Sequence, residues 1–245
     1  MLGGCVHPAV AVVLADGGGA IAVVFVILII ALVAYGVYAD RKRRAELSAW
    51  AAGRGLVLSR EKIRDLDKTY PNFGCLRYGD TRYAYNTVRG RLNGREMLGF
   101  DYHYVTGSGK NRQVHLFSAV ILTSDVPLKP LLIRPENVFD KISEFFGADD
   151  IDFESAEFSR RFYVKSPDKR WAYDVIHART MEFLLASPSF AMQFDRDRVI
   201  CYRNGCFRPD DFEAACQLVA GVLDRLPEYL VRQQRQLDGA GEGVG

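Results

Sequence analysis

The stretch "IAVVFVILIIALVAYGVYADRKRR", from Ile21 to Arg44, decides how the rest of the chain is organised. Between Ala20 and Tyr38 it contains no charged residue and no Pro, Asn or Gln. As a helix, this segment would reach roughly 28 Å, close to the thickness of a bilayer's hydrocarbon core. Because the segment is apolar on every side, it predicts a transmembrane helix over residues 20–38, preceded by a short tail of residues 1–19.

A cleaved signal peptide is the alternative interpretation of the same stretch. Signal peptides begin with a basic region, contain a shorter apolar run and end at a small-residue cleavage site. Residues 1–19 contain no Lys or Arg, and Arg41, Lys42, Arg43 and Arg44 directly follow the apolar run. These flanks favour an uncleaved anchor.

The distribution of basic residues predicts the orientation of this anchor. All 32 Lys and Arg residues lie after residue 40. Short flanks rich in Lys and Arg stay in the cytoplasm. We therefore expect a single-pass protein of the plasma (inner) membrane, with its amino terminus outside and its carboxyl-terminal domain in the cytoplasm. Arg41, Lys42, Arg43 and Arg44 are expected to contact anionic lipid head groups within a basic juxtamembrane helix over residues 39–54, whose Trp50 suits the membrane interface.

Charge and cysteine content narrow the class of the remaining chain. Asp16 and Asp40 are the acidic residues that precede the basic run, so 28 of the 30 acids accompany the 32 bases. This balance is too mild for a nucleic-acid-binding face, and no nucleic-acid partner is expected. The odd number of irregularly spaced cysteines is typical of reduced thiols: Cys5, Cys75, Cys201, Cys206 and Cys216.

Residues 75–123 have the pattern of an antiparallel β-meander. The pair Asn93-Gly94 is the preferred centre of a two-residue type I′ hairpin, which would pair Leu92 with Arg95. Counting outward from that pair predicts an aromatic ladder on one face of the sheet. Its facing pairs would be Thr87 with Phe100, Tyr85 with Tyr102, and Tyr83 with Tyr104.

The whole pattern predicts an α+β fold: one transmembrane helix, then an antiparallel meander with packing helices. Residues 55–148 would hold the meander, a further strand in "PLLIRP" and a helix that begins at Pro135. Residues 149–232 would hold a strand in "FSRRFYVKS", a helix from Ser166 to about Ala186, two strands joined at Asn204-Gly205, and a helix from Pro209. These two parts form either one domain or two. Residues 233–245 are expected to be disordered.

Two histidines are the candidates for chemistry. If residues 108–110 form the loop between their strands, His103 and His115 face each other and could bind a metal or sense pH. If the register slips by one residue, His115 faces Tyr102 and the pair is lost. "GSGK" at 107–110 lacks the remaining residues of a phosphate-binding loop. No catalytic constellation and no cofactor site is evident.

The final third carries a resemblance to a family, in the residues "EFSRRFYVKSPDKRWAYDVIHARTMEFLLA" and "VICYRNGCFRPDDFEAACQLVAGVLDRLPEYL". It resembles a group of uncharacterised, largely actinobacterial single-pass membrane proteins with a domain of unknown function. The resemblance covers about residues 40–232. It implies no known reaction and no catalytic residues.

The leading hypothesis is a membrane-anchored cytosolic domain that is a non-catalytic binding or scaffold module, with an unknown protein or small-molecule partner. One alternative is an enzyme with a site around His103 and His115. Another is a structural subunit of an envelope complex.

Overall fold

The computed structural model describes residues 17–136 and 150–241. They form helices α1 (Gly17–Ala52), α2 (Leu66–Thr69), α3 (Gly74–Arg77), α4 (Ala156–Arg161), α5 (Lys169–Val175), α6 (Ala178–Ala186), α7 (Pro209–Leu223) and α8 (Glu228–Gly241). The strands are β1 (Val57–Ser59), β2 (Asp80–Leu92), β3 (Arg95–Thr106), β4 (Gln113–Pro135), β5 (Phe162–Lys165) and β6 (Ala191–Asn204). This confirms the predicted class: an apolar helix, then an antiparallel sheet with packing helices.

The chain divides into two compact units, residues 1–45 and residues 46–245. Within the first unit, the large apolar side chains of α1 between Val23 and Tyr38 are exposed. A helix of a soluble core would bury one face. The segment Ala22–Ala52 is long and apolar enough to cross a membrane, judged by length and composition.

The second unit begins with the last turns of α1. Leu47, Trp50 and Ala51 are buried in the core of this unit. The Trp50 ring stacks on Phe212, with 5.7 Å between ring centroids, and its indole N–H donates to Glu213 at 3.3 Å. Trp50 is therefore a core residue of the folded unit, not the interfacial side chain that its sequence position suggested.

Six antiparallel strands make one sheet in the order β1-β2-β3-β4-β5, with β6 paired to β4. The 23-residue strand β4 pairs with β3 and β6 on opposite edges along residues 117–122. Further along, it pairs with β5 and again with β6. Strands from residues 55–148 and from residues 149–232 therefore share one sheet.

Each face of the sheet carries its own core. On the helix face, Val88, Met97 and Val120 pack with the end of α1, α5, α6 and α7. On the loop face, Phe100, Phe117 and Ile121 pack under residues 63–76, which include α2 and α3. Gly99 lies on the helix face, where a Cβ atom would approach the Phe212 ring to 2.9 Å, so this position requires glycine.

The Asn93-Gly94 hairpin is confirmed, because Leu92 pairs with Arg95 and both turn residues have positive φ. The predicted aromatic ladder is wrong. Between Tyr85 and Val88 strand β2 shifts register, and Asn86 there has a φ of 48°. This bulge exchanges the sheet faces on which the preceding residues lie. Tyr83 therefore pairs with His103, and Ala84 with Tyr102.

The last third differs from its prediction in several elements. β6 is one strand that ends at Asn204, so Asn204-Gly205 is not a hairpin. The predicted strand "FSRRFYVKS" divides into helix α4 and strand β5. The predicted helix from Ser166 to Ala186 divides at Ile176 and His177, and Asp168 caps its first part. The helix predicted after Pro135 lies outside the described residues.

The predicted disordered tail overlaps helix α8, which extends to Gly241. Leu230 and Gln234, one helical turn apart, are both buried. Burial of this stripe explains why the helix continues past residue 233. Residues 242–245 lie outside the described part of the chain.

Candidate functional site

The strand register separates the two candidate histidines. His103 pairs with Leu116 and His115 with Tyr104, so the two side chains lie on opposite faces of the sheet. His103 stacks on Tyr83 at 4.5 Å between centroids, and its Nδ1 lies 3.2 Å from the Thr81 carbonyl oxygen. His115 stacks on Tyr104 at 4.8 Å, and its Nε2 lies 2.7 Å from Thr106 Oγ1. The two rings therefore do not share a site.

The structure also shows how the other candidate ligands are placed. Among the described residues, no group of three or more His, Cys, Asp or Glu side chains is arranged to hold a metal ion. Cys201 and Cys216 are buried, and Cys206 is exposed beyond the end of β6. Burial raises the pKa of the Cys201 thiol well above its usual value, and raises that of Cys216 to about 12. The thiols of Cys201 and Cys216 are therefore protonated near neutral pH.

The basic run lies on α1. Arg41 and Lys42 are exposed, whereas Arg43 and Arg44 are half-buried. Arg44 forms an ion pair with Asp40, one turn earlier in the helix. Arg41 and Lys42 are thus the two members of the run with the greatest exposure.

A groove on the loop face of the sheet is the site that sequence reasoning missed. It has a volume of about 620 Å³. Leu98 on β3 and Ile121 on β4 are register partners and form its apolar floor. Leu66 and Tyr70, from α2 and the residue after it, form one wall.

Arginines flank this floor on both sides. Arg89 on β2 is the register partner of Leu98 on β3, so it lies beside the apolar floor in the same row. A second row of register partners crosses the sheet beside the first. In it Arg91 on β2 lies opposite Glu96 on β3, and the Glu96 backbone N–H donates to the hydroxyl of Thr123 on β4. Arg198 on β6 pairs with Thr123 and ends the row. All three arginines line the groove. We call this site the arginine groove: Arg89, Arg91, Arg198, Leu98, Ile121 and Tyr70.

The ion pairs of the arginine groove are incomplete. Arg198 lies 3.6 Å from Asp197. In the part of the chain that the structure describes, no ion pair joins Arg89 or Arg91 to an acidic side chain. Arg91 Nη2 donates to the Gly94 carbonyl oxygen at 2.8 Å, so the site can offer the remaining guanidinium N–H groups to a ligand. Its signal in the sequence is the alternation Arg89-Gly90-Arg91 before the hairpin, but Arg198 is too distant in sequence to be associated with it.

Comparisons with known proteins give one relevant likeness. No protein-family model matches the chain, and no curated protein matches it. The fold is similar to the crystal structure of the mycobacterial trehalose monomycolate transport factor A, TtfA, with a TM-score of 0.54. The alignment covers 75% of this chain and 94% of that chain, at 13% sequence identity. At this identity, the likeness shows that the two proteins share a fold.

Proposed function

We propose that this chain is a membrane-anchored, non-catalytic accessory protein of a bacterial lipid-transport system. Helix α1 would hold it in the plasma membrane, and the α+β domain would bind a partner or a lipid. The observation that carries the proposal is the succession of an exposed apolar helix, a basic run and a domain with the fold of a transport factor.

The apolar helix supports the anchor. Large apolar side chains exposed from Val23 to Tyr38 are costly in water and favourable in a hydrocarbon core. Arg41 and Lys42, both exposed, are placed in sequence to contact anionic head groups beyond that core. The excess of Lys and Arg after residue 40 supports an amino terminus outside and a domain in the cytoplasm.

The fold supports the accessory role. The similar structure is that of a protein named as a trehalose monomycolate transport factor. The separation of His103 from His115 removes the arrangement on which the enzyme hypothesis was based. A binding role also fits the arginine groove, which offers guanidinium donors beside an apolar floor.

Membrane extraction tests the anchor. The native chain should stay in the membrane pellet at alkaline pH. The variant Leu28→Arg/Leu32→Arg should enter the soluble fraction, because each central arginine costs about 2.5–3.5 kcal/mol of insertion free energy. Leu28→Ile/Leu32→Ile is the matched control and should stay in the pellet. Release of the native chain would contradict the proposal.

Orientation and partnership need two further measurements. A protease added to spheroplasts should spare a tag placed after Gly245 until the membrane is broken. Purification from solubilised membranes should then return an integral membrane transporter. Cleavage of the tag in intact spheroplasts, or fixed-stoichiometry recovery with envelope structural proteins alone, would instead favour the structural-subunit alternative.

A further inference from the structure

We propose that the arginine groove binds an anionic phospholipid drawn from the membrane, with the acyl chain on Leu98 and Ile121 and the phosphate held by the arginines. This inference deepens the proposed function and rests on it for the source of the ligand. Its test can fail while the membrane-extraction test succeeds, so the two failures are distinguishable.

The floor of the groove suits an acyl chain. Leu98 is half-buried, and its register partner Ile121 lines the groove beside it. Tyr70 and Leu66 close one side. The volume of about 620 Å³ lies within the range of pockets that hold small organic ligands.

The rim of the groove suits a phosphate. Arg89 and Arg91 extend from alternate positions of β2, and Arg198 approaches from the opposite side on β6. Guanidinium groups bind phosphate oxygens through paired hydrogen bonds, and they are less strongly hydrated than ammonium groups. Three arginines against Asp65 and Glu96 leave the lining itself with one positive charge in excess, while Asp197, the ion-pair partner of Arg198, lies outside the lining. The charge of the groove is therefore complementary to a phosphate.

Glu96 restricts which phospholipid head groups fit the groove. It lies beside Arg91 in the polar row, between the guanidinium donors at the two ends. Its carboxylate accepts hydrogen bonds and repels a second anion. A head group with one phosphate and free hydroxyls, such as phosphoglycerol, satisfies both the arginines and Glu96.

Photolabelling of the full chain tests this assignment. The chain is reconstituted in phosphatidylcholine nanodiscs with lysophosphatidylglycerol that carries a diazirine on its acyl chain. Lysophosphatidylcholine with the same chain is the zwitterionic control probe. We expect adducts on peptides that contain Leu98 or Ile121, with the anionic probe favoured about tenfold or more. Both probes carry a phosphate, but the three arginines repel the choline cation of the control probe.

Two variants with equal loss of charge separate specific binding from general attraction. Arg89→Gln/Arg91→Gln/Arg198→Gln should abolish the preference for the anionic probe. Arg60→Gln/Arg112→Gln/Arg179→Gln removes three exposed arginines outside the groove and should retain it. Circular dichroism melting curves establish that both variants fold.

Several outcomes overturn the proposal. These are labelling confined to α1, equal labelling of the groove by both probes, and an unchanged preference in the groove variant. A protein adduct captured by benzoylphenylalanine at position 98, in place of lipid, would identify a protein-docking surface and would also overturn it.

Discussion

The side-chain amide of Asn86 donates a 2.8 Å hydrogen bond to the fully buried carboxylate of Asp101 on the neighbouring strand. Ser118 on β4 donates to the other carboxylate oxygen and accepts from the backbone N–H of Phe207. One carboxylate thus links β2, β3, β4 and the segment that leads into α7. It also explains the bulge, since the left-handed conformation of Asn86 places its amide on Asp101.

Replacing this carboxylate should destabilise the domain. In Asp101→Asn, an amide donor replaces one carboxylate oxygen and meets the donors of Asn86 or Ser118. We expect the free energy of unfolding to fall by about 2–4 kcal/mol, measured by chemical denaturation of the full chain in detergent. The swap Asn86→Asp/Asp101→Asn restores a donor–acceptor pair and should recover part of the loss. A swap no more stable than the single variant would contradict this assignment.

Gly99 should not tolerate a methyl group. Its Cβ would lie 2.9 Å from the Phe212 ring and 3.0 Å from the Met97 methyl carbon, both in the core. We expect Gly99→Ala to lower the free energy of unfolding by about 1–3 kcal/mol through overpacking. Gly99→Ala/Phe212→Leu should lose less than the sum of its single variants. Equal stability of Gly99→Ala and the native chain would show that the helix face adjusts freely.

Asp168 should make the free energy of unfolding depend on pH in the acidic range. The hydrogen bond from Lys129 Nζ, and then that from the Trp171 backbone N–H, lower the pKa of Asp168. The folded state therefore favours the ionised form. This stabilisation is present above the unfolded pKa of about 3.9 and disappears as pH falls through the lower folded value.

Asp168→Ala isolates this contribution. It should cost about 1 kcal/mol at neutral pH, the usual value of a lost helix cap, and much less below both pKa values. Denaturation curves at the two pH values measure the difference. Lys129→Gln should weaken the pH dependence while it retains the cap. A loss in Asp168→Ala that is the same at both pH values would contradict the linkage.

The thiols should differ sharply in reactivity. Cys206 is exposed, whereas Cys201 and Cys216 are buried with raised pKa values. Near neutral pH, N-ethylmaleimide should modify Cys206 in the folded protein and the other two only after unfolding, because the thiolate is the reactive form. Peptide mass spectrometry of the native chain and of Cys206→Ser measures the rates. Modification of Cys201 at the rate of Cys206 would show that β6 opens.

The sequence predicts the elements whose signals are local. The apolar run of α1, the Asn93-Gly94 hairpin and the Pro209 start of α7 each follow from adjacent residues. The bulge at Asn86 could not be predicted in this way, because its stabilising partner Asp101 is fifteen positions away.

The two Asn-Gly dipeptides show the same limit of prediction from local sequence. Asn204-Gly205 resembles Asn93-Gly94, yet the chain does not turn back there. Instead, the Gly205 N–H donates to the Leu116 carbonyl oxygen, and the Phe207 N–H donates to Ser118. Tertiary hydrogen bonds thus override the local preference. The arginine groove was missed for a related reason: Arg198 joins Arg89 and Arg91 only through the pairing of β6 with β4.

The length of β4 has a consequence for synthesis of the protein. The edge of β4 that binds β6 lacks its full set of partners until the chain has been made as far as Asn204. A nascent chain that ends earlier exposes an apolar strand edge, which invites pairing with other chains. The domain therefore completes its sheet only late in translation, and the nascent chain is most prone to aggregation before β6 has been made.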